Sequence, residues 1–185
     1  MSAKVSMSVK EARALVHLAS FRTRNLHIGY ANEKLAEHVL VSAGFGRVRI
    51  MHTNSIWFVE HDVYGYDGDY GFACVHARVL RNMCDGRKPS AEITLDLGIH
   101  DDPSINSRHY ERFCIDDFLD VIFGNKKAKP EPGLWSVNPM MCERVMGYMA
   151  SMCGVCDIHI RSNDAPLAVS AQAGAYRAFV MPVRR

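Results

Sequence analysis

Cys153-Gly-Val-Cys156, followed by His159, is the most compact group of metal-ligating and redox-capable side chains in the sequence. A CxxC pair holds zinc when two further ligands complete a tetrahedron, and it exchanges disulfides when it follows a strand and opens a helix. A second CxxC is missing, and this pair follows a helical stretch and precedes the strand-like run Asp157–Arg161. We therefore read Cys153 and Cys156 as turn and core residues. His100-Asp101-Asp102 and His61-Asp62 are raw material for acid–base work, and the nine histidines read mostly as surface or turn residues. Nucleophile elbow, phosphate-cradling loop and metal-ligand spacing are all missing around them. The expectation is a non-enzyme with no catalytic residue, no metal and no cofactor.

The elements that carry these residues belong to an ordinary globular chain. Of 185 residues, 48% are apolar and 23% charged, enough to bury a core. The formal charge is only +2, from 22 Lys and Arg against 20 Asp and Glu, so any nucleic-acid surface must come from charge sorting. No apolar run reaches the roughly 20 residues of a membrane span, and no secretory signal opens the chain. Six cysteines without scaffold spacing, beside ten methionines, read as reduced thiols of a cytoplasmic protein.

One pattern recurs three times: a short strand, a polar cap, an amphipathic helix, a turn and another strand. It appears at Lys4–Met7, where Ser8 and Glu11 match a capping box before Ala12, Leu15, Val16 and Ala19. A second copy runs Gly71–Val75 into a helix over Ala77–Asp85, with Val79, Leu80 and Met83 apolar and Gly86 as a stop. The alternating strand Ala91–Leu97 follows. In the third, Leu134–Val137 leads to Asn138-Pro139, a good cap with proline at the first helical position, before Met141, Val145, Met146 and Met149. Met7, Val75 and Val137 then align at offsets of 68 and 62 residues. Glu37–Ala43, Arg47–Met51 and Ile56–Val63 read as an antiparallel meander, and Asp157–Arg161, Ala165–Ser170 and Tyr176–Val183 as later strands. Residues 98–133 are the least regular stretch. We expect an α+β fold, with one domain over 1–123, an exposed linker at 124–133 and a half domain over 134–185.

The last fifty residues, ending Ala175-Tyr-Arg-Ala-Phe-Val-Met-Pro-Val-Arg-Arg185, resemble the end of a bacterial β sliding clamp, whose chains finish in a strand and a Met-Pro-x-Arg tail. Phe72–Gly86 with Ala91–Leu97 is similar to the second helix unit of a clamp domain, and Val5–Phe21 to its first strand and helix. The resemblance spans about 130 of the 185 positions. It implies the DNA-clamp fold: repeated strand–helix–strand units, antiparallel sheets outside, short helices lining a central hole. It also implies a processivity factor that encircles duplex DNA without reading bases, self-associates into a ring, and receives DNA polymerase and clamp loader through short linear motifs.

Carried onto this chain, the hole would be lined by Lys10, Arg13, Arg78, Arg81 and Arg144, with Arg22 and Arg24 nearby. Taken singly, each reads as part of a solvated helix face, and it is their recurrence on three helices that favours a ring. The client pocket would comprise Asn138, Met141, Val180, Met181, Pro182, Val183 and Arg184. Arg185 stands where family tails end in an aliphatic residue. Thr53-Asn54-Ser55-Ile56 holds the place of the family's Thr-Asp-Gly-His-Arg-Leu turn and differs from it. A cellular clamp chain has three domains of two repeats each, whereas three units are visible here. Either more than two chains close the ring or residues 98–133 hold a fourth unit; a chain this short suits a phage or plasmid. The alternative is a clamp-like interaction protein or decoy that binds clients or a host clamp subunit without encircling DNA.

Overall fold

The computed structural model describes residues 3–20, 36–54, 56–98, 135–161, 168–180 and 183–184. The expected linker at 124–133, residues 99–133 of the stretch expected to be least regular, Leu134, Arg22, Arg24, Met181, Pro182, Arg185 and His100-Asp101-Asp102 lie outside these residues.

Strand β1 (Lys4–Ser8) alternates, with Val5 and Met7 buried and Lys4 and Ser6 exposed. Ser8 has extended backbone and its Oγ accepts the Glu11 N–H at 3.1 Å, which starts helix α1 (Val9–Ala19). Only half of the expected capping box forms, because the Glu11 carboxylate turns inward to His61. Strands β2 (His38–Gly44), β3 (Arg47–Thr53) and β4 (Trp57–Tyr64) then form the expected meander. Asn54 closes its β3–β4 turn, Oδ1 accepting the N–H groups of Ile56 and Trp57, both at 3.0 Å.

Strand β5 (Gly71–His76) leads to helix α2 (Ala77–Cys84), whose cap is the imidazole of His76, Nδ1 accepting the Arg78 N–H at 3.0 Å. After β6 (Glu92–Asp96), the third unit comprises β7 (Trp135–Ser136), helix α3 (Pro139–Cys153) and strands β8 (Asp157–Arg161), β9 (Ala168–Ala173), β10 (Tyr176–Val180) and β11 (Val183–Arg184). Asn138 Oδ1 accepts the Met140 N–H at 3.0 Å. The helix caps Ser8, His76 and Asn138 each fall one residue after the positions aligned by sequence, so the repeat is structural.

Two strand boundaries differ from expectation. β9 lies three residues later than Ala165–Ser170, because the Gly174-Ala175 turn pairs Ala173 with Tyr176 and thereby sets the register. Tyr176–Val183 is not one strand either: β10 ends at Val180, and Val183 and Arg184 pair instead with β7. Pro182, with no N–H for a ladder, lies between.

All pairings among the described strands are antiparallel. A seven-stranded sheet has the order β5-β2-β3-β4-β10-β9-β8, beside two-stranded sheets β1-β6 and β11-β7. The first two units interlock reciprocally, since the first strand of each pairs with the second of the other. The β4–β10 ladder joins the first unit to the third. α1 packs between α2 and α3, and one core holds Leu15, Trp57, Leu80, Leu95, Met141 and Met149. Each such side chain, removed from water, contributes about 1.5–3 kcal/mol.

Candidate functional site

The three helices carry five cations: Lys10 and Arg13 on α1, Arg78 and Arg81 on α2, and Arg144 on α3. Their acids are two, Glu11 and Glu143, and Glu11 is only 3% exposed. The outward side of the helix layer is therefore strongly positive although the whole chain carries +2. Lys10, Arg78 and Arg81 point to solvent. Arg13 has a second job, its Nη2 donating to the carbonyl oxygens of Cys84 (3.1 Å) and Arg87 (2.8 Å) at the end of α2. Half-buried Arg144 donates from Nη1 to Nε2 of His17 on α1, which requires that nitrogen to be unprotonated.

On the sheet face turned away from the helices, the β4–β10 ladder carries a polar group that sequence reasoning missed. The Glu60 carboxylate, fully buried, accepts from Arg177 Nε at 2.8 Å and from Arg177 Nη2, and Arg49 Nε lies 3.1 Å from its other oxygen. Burial pushes the Glu60 carboxyl up from its ordinary value in spite of both guanidinium groups. One residue along the ladder, His61 Nδ1 lies 2.8 Å from Glu11 Oε1, and its ring stacks on Tyr176 with centroids 4.0 Å apart. Burial, reinforced by the Glu11 carboxylate, pushes the hydroxyls of Tyr148 and Tyr176 well above the tyrosine range. His61-Asp62 is thus not a surface pair, and His38 and His52 are buried as well. The signal in the sequence was Glu60 directly after the apolar run Trp57-Phe58-Val59 of that strand.

Cys153 ends α3 and Cys156 immediately precedes β8, both half-buried and unbridged. Burial pushes the Cys153 thiol up, away from the thiolate that nucleophilic or ligand chemistry uses. Among the described residues, no group of three His, Cys, Asp or Glu side chains has the geometry of a metal site.

No family model and no curated protein matches the sequence. Solved structures do. A DNA polymerase III subunit β sliding clamp from Bartonella birtlesii aligns over 97% of this chain and 62% of its own, at 10% identity and a TM-score of 0.56. A putative DNA polymerase III β subunit from Eubacterium rectale aligns over 98% and 65%, also at 10% identity and 0.56. The Caulobacter crescentus pol III β aligns over 98% and 65%, at 13% identity and 0.52. The chain has the β sliding-clamp fold. It spans less than two-thirds of the length of each of these clamps.

Within this clamp fold, the β10 end meets the β3–β4 turn. Val180 pairs with Trp57, and Phe179 stacks on Phe58 at 5.3 Å. The position expected to replace the family's turn therefore adjoins the strand that leads into the tail. Val180 and Met141 are fully buried core residues without an open side chain, whereas half-exposed Asn138 uses its Oδ1 as a helix cap. Met140, 50% exposed on the first turn of α3, is the apolar surface residue there that sequence reasoning passed over. Val183 and Arg184 hold β11 against β7.

Proposed function

We propose that the protein is a sliding clamp that encircles duplex DNA as a self-associated ring and tethers DNA polymerase and other replication proteins. The sorting of five cations onto three helices, in a clamp fold of near-neutral total charge, is the observation that carries this reading. Such cations touch phosphates without reading sequence, so retention is topological and salt-sensitive. Lys10, Arg78 and Arg81 are the lead contacts, with Arg144 and Arg13 contributing beside their inter-helix roles and Arg22 and Arg24 nearby. Clients and the clamp loader bind through short linear motifs at the β10 end, with exposed Met140 and the tail residues Met181, Pro182, Val183 and Arg184 as the proposed contacts. The protein acts without catalysis, in the cytoplasm. No described helix is long and apolar enough to cross a membrane.

The test uses nicked circular DNA and a loader. The expected result is a stable oligomer by light scattering, retained on circles and lost when they are cut. Replacing Lys10, Arg78 and Arg81 by Gln should lower the salt dependence by about one unit of log–log slope per residue. A strictly monomeric protein that slips off circles would sink the ring.

The second reading, a clamp-like interaction protein that binds clients or a host clamp subunit without encircling DNA, is favoured by the near-neutral total charge of +2 over 185 residues. Binding of a polymerase-derived peptide by a protein never retained on DNA would select it.

A further inference from the structure

The opposite end of the meander, away from the β10 end, carries a surface that the clamp reading leaves unused. Phe45 in the β2–β3 turn is 97% exposed and Tyr70, just before β5, is 70% exposed, yet their rings are fixed edge to face with centroids 6.0 Å apart. Gly44 makes this seating possible: a Cβ there would lie 2.8 Å from Cδ2 of Tyr70. Phe45 itself has φ of +51°, a backbone state that few bulky residues adopt. The Gly46 carbonyl accepts the N–H groups of Gly65 (2.8 Å) and Tyr66 (3.2 Å), tying the β2–β3 turn to the loop that carries Tyr70. The aromatic pair is therefore built before any partner arrives, which lowers the entropy cost of binding.

Between that loop and the β1–β6 sheet, an open hollow of about 670 Å³ is lined by Asp67 and Asp69 of the loop and Asp96 of β6, with Lys4 of β1 as its single cation, and Asp69 is the chain neighbour of Tyr70. Three carboxylates beside two exposed rings repel phosphate and attract a cation that can also lie on an aromatic face.

We propose that this end of the molecule is a second docking surface, which takes a peptide segment of a partner protein carrying Lys or Arg next to an apolar residue. The cationic side chain enters the aspartate-lined hollow, and the apolar one packs on Phe45 and Tyr70. Charge complementarity selects the occupant, and the surface works independently of the helix face.

The probe is the acetylated, amidated pentapeptide Lys-Phe-Lys-Leu-Lys, with Glu-Phe-Glu-Leu-Glu as its opposite, added to the whole protein and followed by amide chemical shifts. The lysine peptide should move amides at 44–46 and 65–70 while the glutamate peptide leaves them still. Phe45→Ala, or Asp67→Asn with Asp69→Asn, should each weaken binding roughly five-fold. All three positions lie in turns or loops, so the variants keep the fold and the unmoved core amides verify it. Shifts elsewhere, or affinity indifferent to these substitutions, would overturn the proposal. So would duplex DNA moving the same amides, or a concentration-dependent mass that Phe45→Ala abolishes, which makes a second copy the occupant. DNA retention on circles is unaffected by any of these variants, so failure here is distinguishable from failure of the clamp reading.

Discussion

Arg177 on β10 donates from Nε to the buried Glu60 carboxylate of β4 at 2.8 Å, and the two residues are direct partners in the ladder that joins the first unit to the third. Glu60 is desolvated enough to resist ionisation even with two guanidinium groups beside it. Arg177→Ala should therefore cost about 3 kcal/mol at neutral pH, because a buried charge loses its main partner. Glu60 has its folded value raised above the unfolded one, so its contribution is fully present below the unfolded value near 4.5 and declines as pH rises through the folded value. The Arg177→Ala penalty should accordingly shrink towards pH 4.5, as protonated Glu60 no longer needs the cation. Urea unfolding at a series of pH values checks both statements, and a pH-independent penalty would refute the assignment.

His52 supplies the opposite slope. Fully buried, with Nδ1 3.0 Å from the His38 carbonyl oxygen, it is pushed from 6.5 down to about 4 by burial. A depressed histidine contributes stability present above 6.5 and lost as pH falls towards 4, on the order of 3 kcal/mol. His52→Asn, which can still donate to His38, should flatten the stability curve over that window. Chemical denaturation between pH 4 and 7 reads the difference.

Arg13 and Arg81 are both helix cations, and their substitutions should separate. Arg13→Ala removes two hydrogen bonds to the end of α2 and should destabilise by about 1–2 kcal/mol, with Lys a poor replacement for the forked donor. Arg81→Ala, exposed on α2, should change the melting temperature little while reducing DNA retention. Thermal melts paired with a retention assay distinguish the two.

Gly71 opens β5 directly against Ala3 and Leu97, the residues that flank β1 and β6. A Cβ there would come 2.5 Å from the Cβ of Ala3 and 3.1 Å from that of Leu97. Gly71→Ala should cost about 1–3 kcal/mol through overpacking. Ala3→Gly in the same chain should restore part of it, and an additive double variant would show that the clash lies elsewhere.

Local signals were readable before the structure. Ser8, Gly86 and Asn138-Pro139 punctuate helices because side-chain and backbone chemistry there acts within a few residues, and alternation in β1 and β6 follows from burial of one face. The charge-bearing helix residues were legible too, since helical spacing separates them from the core stripe. What sequence could not supply was partnership across the chain. Nothing local tells Glu11 that it will face His61, fifty residues away, rather than complete its capping box. Val180 read as part of a client pocket because its neighbours in sequence are the tail, whereas its neighbours in space are Trp57 and the core.

The β4–β10 ladder also sets the order in which the molecule can be made. Glu60 and Arg177 are 117 residues apart, so a ribosome elongating the chain exposes β4 as an unpaired edge long before its partner has been synthesised. Until then the half-finished sheet carries a buried-type carboxylate and an open row of backbone donors, the kind of intermediate that chaperones hold and proteases remove. Closure of this sheet therefore waits on a contact of long sequence separation, which slows folding, and a fragment ending before β10 should leave β4 as an open edge prone to aggregation.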